Sequence, residues 1–213
     1  MSDDRRSFTR ESASARKEAL ILATLDLVAE KGVRGATVRA IAERAEVTQG
    51  LIRHYFTSRE GLISAAYEHH MTVLIDQTAA SAGEGTALER LRGFVAASLA
   101  PPVVDPRAVG LWAGFLNLVQ QDPDMKVIHE RTYARFRDQL QALIDAALQE
   151  AGRPAPPARL RHLAIAANAV LDGLWLEGGA LPDAFEPGEL AVIGLSSVSA
   201  LIGISLEQGT ETA

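Results

Sequence analysis

Three features of the sequence predict an all-α fold. Apolar residues recur at three- and four-residue intervals along most of the chain, and no stretch alternates as a strand would. Pro and Gly punctuate these stretches at 83–85, 101–102, 123, 154–157, 182 and 187. Short polar residues able to cap helices stand at the starts of several of them, among them Thr37, Thr48 and Ser58. The predicted architecture is a small amino-terminal helical head followed by a larger helical body, with about nine helices in all.

Residues 1–14 read as a flexible polar arm. The opening MSDDRRSFTRESASARKE has no apolar core and does not resemble a signal peptide. Arg5, Arg6 and Arg10 have the charge for a minor-groove contact, but Asp3, Asp4 and Glu11 offset it, so a solvated tail is expected. A first helix follows, with Ile21, Leu22, Leu25 and Val28 as its buried stripe and Gly32 as its stop.

Residues 37–56 read as two short helices joined by a tight turn. Thr37 caps the first, whose apolar face is Val38, Ile41, Ala42 and Ala45. Glu46-Val47 break the pattern. Thr48 caps the second, whose inner face is Leu51, Ile52, Tyr55 and Phe56 and whose outer face carries Gln49, Arg53 and His54. This is the layout of a helix-turn-helix, although an ordinary αα-hairpin shares the pattern. Thr57-Ser58-Arg59-Glu60 then opens a new helix as a capping-box sequence. It holds Arg59 in the first turn, where a cation opposes the helix dipole and a phosphate would compensate.

The body continues with helices at about 61–80, 87–99, 106–121, 123–152, 158–180 and 187–207. Residues 190–206 are 17 positions without a charge. Four serines and the short length argue against a membrane span and for a helix buried on several sides, with Gly194 and Gly203 permitting close helix approach.

The head resembles the TetR family of bacterial transcriptional regulators. The resemblance is carried by Gly32, Thr37, Ile41, Ala42, Ala45, Val47, Thr48, Gly50, Phe56, Arg59 and Leu62. Residues 50–56, GLIRHYF, and 171–176, LDGLWL, look like the BetI-type branch of betaine-pathway repressors. The chain departs from the family at Glu46, where a Gly with positive φ is usual, and at Arg53, where an aromatic is usual. The resemblance implies a ligand-responsive, DNA-binding transcriptional regulator, a repressor released from a palindromic operator by a small organic effector. It also implies a homodimer paired through its last two long helices, with the helix at about 59–80 as the lever between body and head. An activator of the same fold, or a helical interaction module that binds no DNA, remains open.

The domains expected on this basis are the arm at 1–14, the helix-turn-helix head at 15–60 and an effector-binding and dimerisation body at 61–213. The expected DNA-binding residues are Thr37, Arg39, Thr48, Gln49, Gly50, Leu51, Arg53, His54, Tyr55 and Arg59. Gln49 can pair with adenine, Arg53 with guanine, and Leu51 can meet a thymine methyl. Thr37, Arg39, Thr48, Tyr55 and Arg59 suit phosphates. Aromatics are 5% of the chain, so the grouping of Trp112, Phe115, Tyr133, Phe136 and Trp175 with Asn117, His129, Asn168 and Asp172 marks a candidate effector pocket. Aromatic faces beside Asp172 suit a choline-like quaternary ammonium ion, whereas each residue taken singly also suits a helical core.

The charge is −6 overall but uneven. Residues 1–60 carry 11 Lys and Arg against 9 Asp and Glu, a net +2; residues 61–213 carry 10 against 18, a net −8. Screening over about 8 Å makes phosphate attraction local, so an acidic body is compatible with a DNA-reading head. The absence of Cys excludes a thiol nucleophile and a disulfide framework and fits a cytoplasmic setting. No Gly-x-Ser-x-Gly elbow occurs, and Gly83-Glu84-Gly85 lacks the third Gly of a dinucleotide loop. His69-His70 cannot form an i,i+4 metal pair, and Glu68-His69-His70 reads as a solvated face. An enzyme, a cofactor and a metal are therefore not expected.

Overall fold

A computed structural model describes the backbone of residues 3–207 and the side chains from 13 onward. Among the described residues it is all helical: α1 (Asp3–Gly35), α2 (Val38–Arg44), α3 (Gln49–Tyr55), α4 (Arg59–Ser81), α5 (Ala87–Ser98), α6 (Pro106–Val119), α7 (Pro123–Glu150), α8 (Pro157–Ala180) and α9 (Glu189–Ile202), with one 3₁₀ turn at Pro182–Ala184. Residues 3–14 of the expected arm continue α1, while the minor-groove contact considered for Arg5, Arg6 and Arg10 lies outside the described side chains. Gly32 interrupts α1 with φ 67° and ψ 172°, which only glycine adopts cheaply, as expected of a stop signal.

Helix starts follow the short polar residues. Asp105 Oδ1 accepts from the amides of Arg107 and Ala108 at 2.9 and 3.1 Å, and Asp122 Oδ1 from those of Asp124 and Met125 at 2.9 and 3.3 Å. Thr86 and Glu89 form a reciprocal capping box at the start of α5. The backbone bond from Thr86, and then its side-chain bond, hold the Glu89 carboxyl below its usual range. The capping box expected at 57–60 is replaced by a simpler cap one residue later: Ser58 Oγ accepts from the amide of Gly61 at 3.0 Å.

The helices group into two compact units. One comprises residues 1–71 and 111–129, the other 72–110 and 130–213, so α4, α6 and α7 each contribute to both. The helix-turn-helix head expected at 15–60 is thus only part of the first unit. In the second unit α8 packs on α9 and both pack on α5. Its core joins Leu91, Phe94 and Val95 of α5 and Leu99 at its C-cap to Leu140 and Ile144 of α7, Leu160 and Leu171 of α8, and Val198 and Ile202 of α9. Each such side chain, fully buried, contributes about 1.5–3 kcal/mol.

Helix α9 has an inner face of Leu190, Gly194, Val198 and Ile202 and an outer face that includes exposed Val192 and Ile193. It is buried on one side within the chain, not on several. Gly194 serves the intrachain core: a Cβ there would stand 2.2 Å from Cδ1 of Leu99, the C-cap of α5. Gly203 does not mediate helix approach. It ends α9 in the left-handed region at φ 72°, and its carbonyl accepts from Arg153 Nη1. His70 is buried at 8% exposure, because its turn of α4 faces inward, so the expected solvated face at 68–70 is corrected there.

Candidate nucleic-acid interface

Helices α2 and α3 are short, and their angle depends on the turn between them. Thr37 Oγ1 accepts from the amide of Ala40 at 3.2 Å and starts α2. At its end, the amide of Val47 reaches the carbonyl of Ala42 at 2.9 Å and the amide of Glu46 reaches that of Glu43 at 3.3 Å. This is a Schellman closure, and it places Glu46 at φ 54°. Glu46 is the one non-glycine residue with positive φ among the described residues, as the departure from the family pattern implied. A left-handed L-residue costs roughly 1 kcal/mol. Glu46→Gly is therefore expected to raise stability by about 0.5–1 kcal/mol, read as a higher midpoint in urea. A lowered midpoint would mean that the exposed carboxylate makes a compensating contact.

Thr48 occupies the N-cap position of α3, but its side chain makes no capping bond; only its carbonyl accepts, from the amide of Leu51 at 3.0 Å. The expected capping role of its hydroxyl is not realised. Ile52 and Phe56 turn inward at 2% and 7% exposure. Thr48, Gln49, Gly50, Arg53 and His54 are exposed, Leu51 and Tyr55 half-buried, and the His54 and Tyr55 rings meet edge-on at 5.1 Å. A Cβ added at Gly50 would find only Thr48 Oγ1 at 3.8 Å, so nothing inside the chain requires glycine there. On α2 and before it, Arg39 and Thr37 are also exposed.

The pair α2–α3 is clamped to α1 by contacts that local patterns do not reveal. Arg44 at the end of α2 reaches back to Glu30 through two nitrogens at 2.9 and 2.6 Å, with Asp26 at 3.8 Å. The hydrogen bond to Glu30 raises the Arg44 pKa above its ordinary value. Lys17 Nζ lies 5.6 Å from the centre of the Phe56 ring. These residues have sequence separations of 14 to 39, beyond any helical period.

Arg59 is engaged within the fold. Its Nε donates to the carbonyl of Ala36 at 2.7 Å and its Nη2 to that of Val33 at 2.5 Å, while Nη1 approaches Glu60 at 3.4 Å. The charge that looked unfavourable at the start of α4 is compensated by carbonyls at the end of α1, with no phosphate required. Arg59 is thereby a pin of the fold. Arg59→Ala should lower stability by roughly 2–4 kcal/mol, since two charge-assisted bonds are lost, and melting curves would register it. An unchanged melt would mean that these carbonyls find other donors.

The nine residues expected to form an effector pocket divide between the units. In the first, Phe115 is fully buried against Tyr67 with ring centres 5.1 Å apart, and Tyr67 Oη and His129 Nδ1 are 2.6 Å apart. Trp112 is half-buried. Asn117 faces solvent, where its Oδ1 accepts from Gln121 at 3.4 Å, because its position lies on the outer side of α6. In the second unit, Phe136 packs against Phe94 with centres 5.2 Å apart, Tyr133 is half-buried, and Trp175 Nε1 donates to the carbonyl of Val103 at 2.8 Å. Asn168 Nδ2 donates to Asp172 Oδ2 at 2.7 Å. Burial pushes the Asp172 carboxyl up to about 6, against the bond from Asn168 and the charge of Arg137, which pull it down. Sequence reading missed Tyr67 and Arg137, whose significance comes from partners 62 and 35 positions away.

No group of His, Cys, Asp and Glu among the described residues could hold a metal ion, and no helix is long and apolar enough to cross a membrane. Comparison with known proteins agrees with the geometry of the head. The family described as "Bacterial regulatory proteins, tetR family" matches residues 20–66, and "BetI-type transcriptional repressor, C-terminal" matches residues 87–203. An HTH-type transcriptional regulator BetI of Burkholderia thailandensis is 33% identical over 168 residues, covering 76% of this chain and 81% of that protein. The crystal structure of a transcriptional regulator of Pseudomonas aeruginosa PAO1 superposes with a TM-score of 0.81 at 30% identity, covering 89% of this chain and 91% of the other. A regulator of Saccharomonospora viridis solved in complex with choline shares the fold, with a TM-score of 0.68 at 18% identity over 89% of this chain and 96% of the other. With a helix-turn-helix whose outer face is open and a body that matches over residues 87–203, the chain belongs to the TetR family of DNA-binding transcriptional regulators, in its BetI-type branch.

Proposed function

We propose that this regulator is a repressor that reads a palindromic operator as a homodimer and leaves it when a small organic effector binds the second unit. The observation that carries the reading is the division of α3. Ile52 and Phe56 anchor it, while Gln49, Gly50, Arg53 and His54 stand exposed on one short helix. Gln49 would read adenine, Arg53 guanine and Leu51 a thymine methyl. Arg53 makes no ion pair among the described residues that would compete with a base. Thr37, Arg39, Thr48 and Tyr55 would take phosphates, and bare Gly50 lets the duplex approach the backbone. With Arg59 engaged by α1, phosphate binding falls chiefly to the others. Dimerisation would use the outer faces of α8 and α9, where Leu176, Val192 and Ile193 are exposed. The effector would meet Asn168, Asp172 and the aromatic Tyr133 and Trp175.

Selection of bound sites from random DNA tests the reading. The wild type is expected to yield an inverted repeat. Arg53→Ala is expected to relax one base pair in each half-site, a loss of about 1–3 kcal/mol of discrimination there. An identical motif from the variant would remove Arg53 from base reading, and the absence of any enriched motif would remove the operator reading. Footprinting decides the sign of regulation: protection over a transcription start fits repression, and protection only upstream favours an activator.

A further inference from the structure

We propose that the Asn168–Asp172 pair receives an organic cation bearing N–H donors, a protonated primary or secondary amine, in preference to a fully alkylated ammonium ion. The inference rests on the reading of the second unit as the effector-binding one, and it names the chemistry of that effector. Asn168 and Asp172 stand one turn apart on α8, on a common face. Asn168 is 7% exposed, and its Nδ2 is committed to Asp172 Oδ2 at 2.7 Å. That bond engages the amide nitrogen and not the amide oxygen: Asn168 Oδ1 is buried and has no hydrogen-bond partner. Asp172 Oδ1 adds a second acceptor, on a group whose carboxyl is already pushed up by burial. Arg137 acts on Asp172 at a distance but forms no ion pair with it among the described residues. The pair therefore presents negative charge and acceptor oxygens, with one N–H of Asn168 Nδ2 already given to Asp172 Oδ2.

A buried acceptor is costly until a donor reaches it, and a buried carboxylate is costly until a cation does. One ammonium group with at least two N–H bonds meets both needs, one hydrogen to Asn168 Oδ1 and another to Asp172. A quaternary ammonium ion supplies the charge and is attracted to nearby aromatic faces, but it has no N–H and leaves both oxygens unpaired. The amide oxygen of Asn168 is thus the element that distinguishes the two classes of cation.

The test uses the full-length protein and four probes of constant charge: ethanolamine, N-methylethanolamine, N,N-dimethylethanolamine and choline. The number of N–H bonds falls along the series from three to none. Calorimetry near pH 7.5 is expected to show affinity falling along it, by tenfold or more from first to last. Asn168→Leu should flatten the series, and Asp172→Asn should abolish binding of all four. The wild-type series stands alone if a variant fails to fold. Choline binding as tightly as ethanolamine or tighter, with binding still lost in Asp172→Asn, overturns the donor preference and leaves the effector site standing. No Asp172-dependent binding of any probe overturns both.

Discussion

Ile193→Asp is expected to convert the dimer to a monomer and to cost operator affinity by roughly 10²–10⁴-fold. Ile193 is 38% exposed and Val192 64%, beside Ser196 and Ala200 on the outer face of α9. Residues 190–206 carry no charge although the region from 61 onward carries a net −8. An uncharged face on an acidic body is what a partner surface requires, because charges buried in an interface without partners are expensive. A carboxylate placed near a two-fold axis meets its own copy as well as apolar surface, so the penalty is felt twice. Loss of the dimer turns the second half-site into an independent encounter, which is the origin of the large factor. Sedimentation would report the mass and fluorescence anisotropy the affinity. Val127→Asp is the matched control, since Val127 is 58% exposed but lies on α7 in the first unit. A monomeric Ile193→Asp that keeps its affinity, or a variant that stays dimeric, would place the interface elsewhere.

What was legible in the sequence was local. The helices follow from periodicity and caps, and the left-handed Glu46 was expected from the family resemblance, which places a Gly there. What was not legible depends on distant partners. Arg59 looked like a phosphate ligand because its local setting disfavours a cation, yet the carbonyls that satisfy it lie 23 and 26 residues earlier. Arg44 drew no notice because Glu30 is 14 residues away. Gly194 was read as a close-approach site without a named neighbour, since a small residue says that something comes near and not what comes near. Side chains at helical spacing share a face by rule, but which faces meet is a property of packing, and the nine expected effector residues divided between two units.

Asp172→Asn is expected to make the protein more stable at neutral pH while removing the proposed response to a cationic effector. Burial pushes the Asp172 pKa up to about 6, above the ordinary carboxylate value of about 4. The folded chain therefore holds a proton that the unfolded chain releases between about pH 4 and 6. In that window the native state binds more protons than the unfolded state, so stability falls as pH rises. At about 1.4 kcal/mol per unit, the penalty above pH 6 is roughly 3 kcal/mol. An amide at this position keeps the size of the side chain and still accepts from Asn168 Nδ2, but it carries no charge to desolvate. The difference between variant and wild type should thus be near zero at pH 4 and reach roughly 2–3 kcal/mol above pH 6.5, or about 5–10 °C in Tm. Protein concentration must be held constant, because the Tm of a dimer depends on it. A protein that retains a buried carboxylate at such a cost, when a neutral isostere fits, has a use for the charge, which is how stability is given up at binding sites. A variant that melts lower at pH 7.5, with a pH profile parallel to that of the wild type, would show that Asn168 and Arg137 already compensate Asp172. Its charge would then belong to the fold.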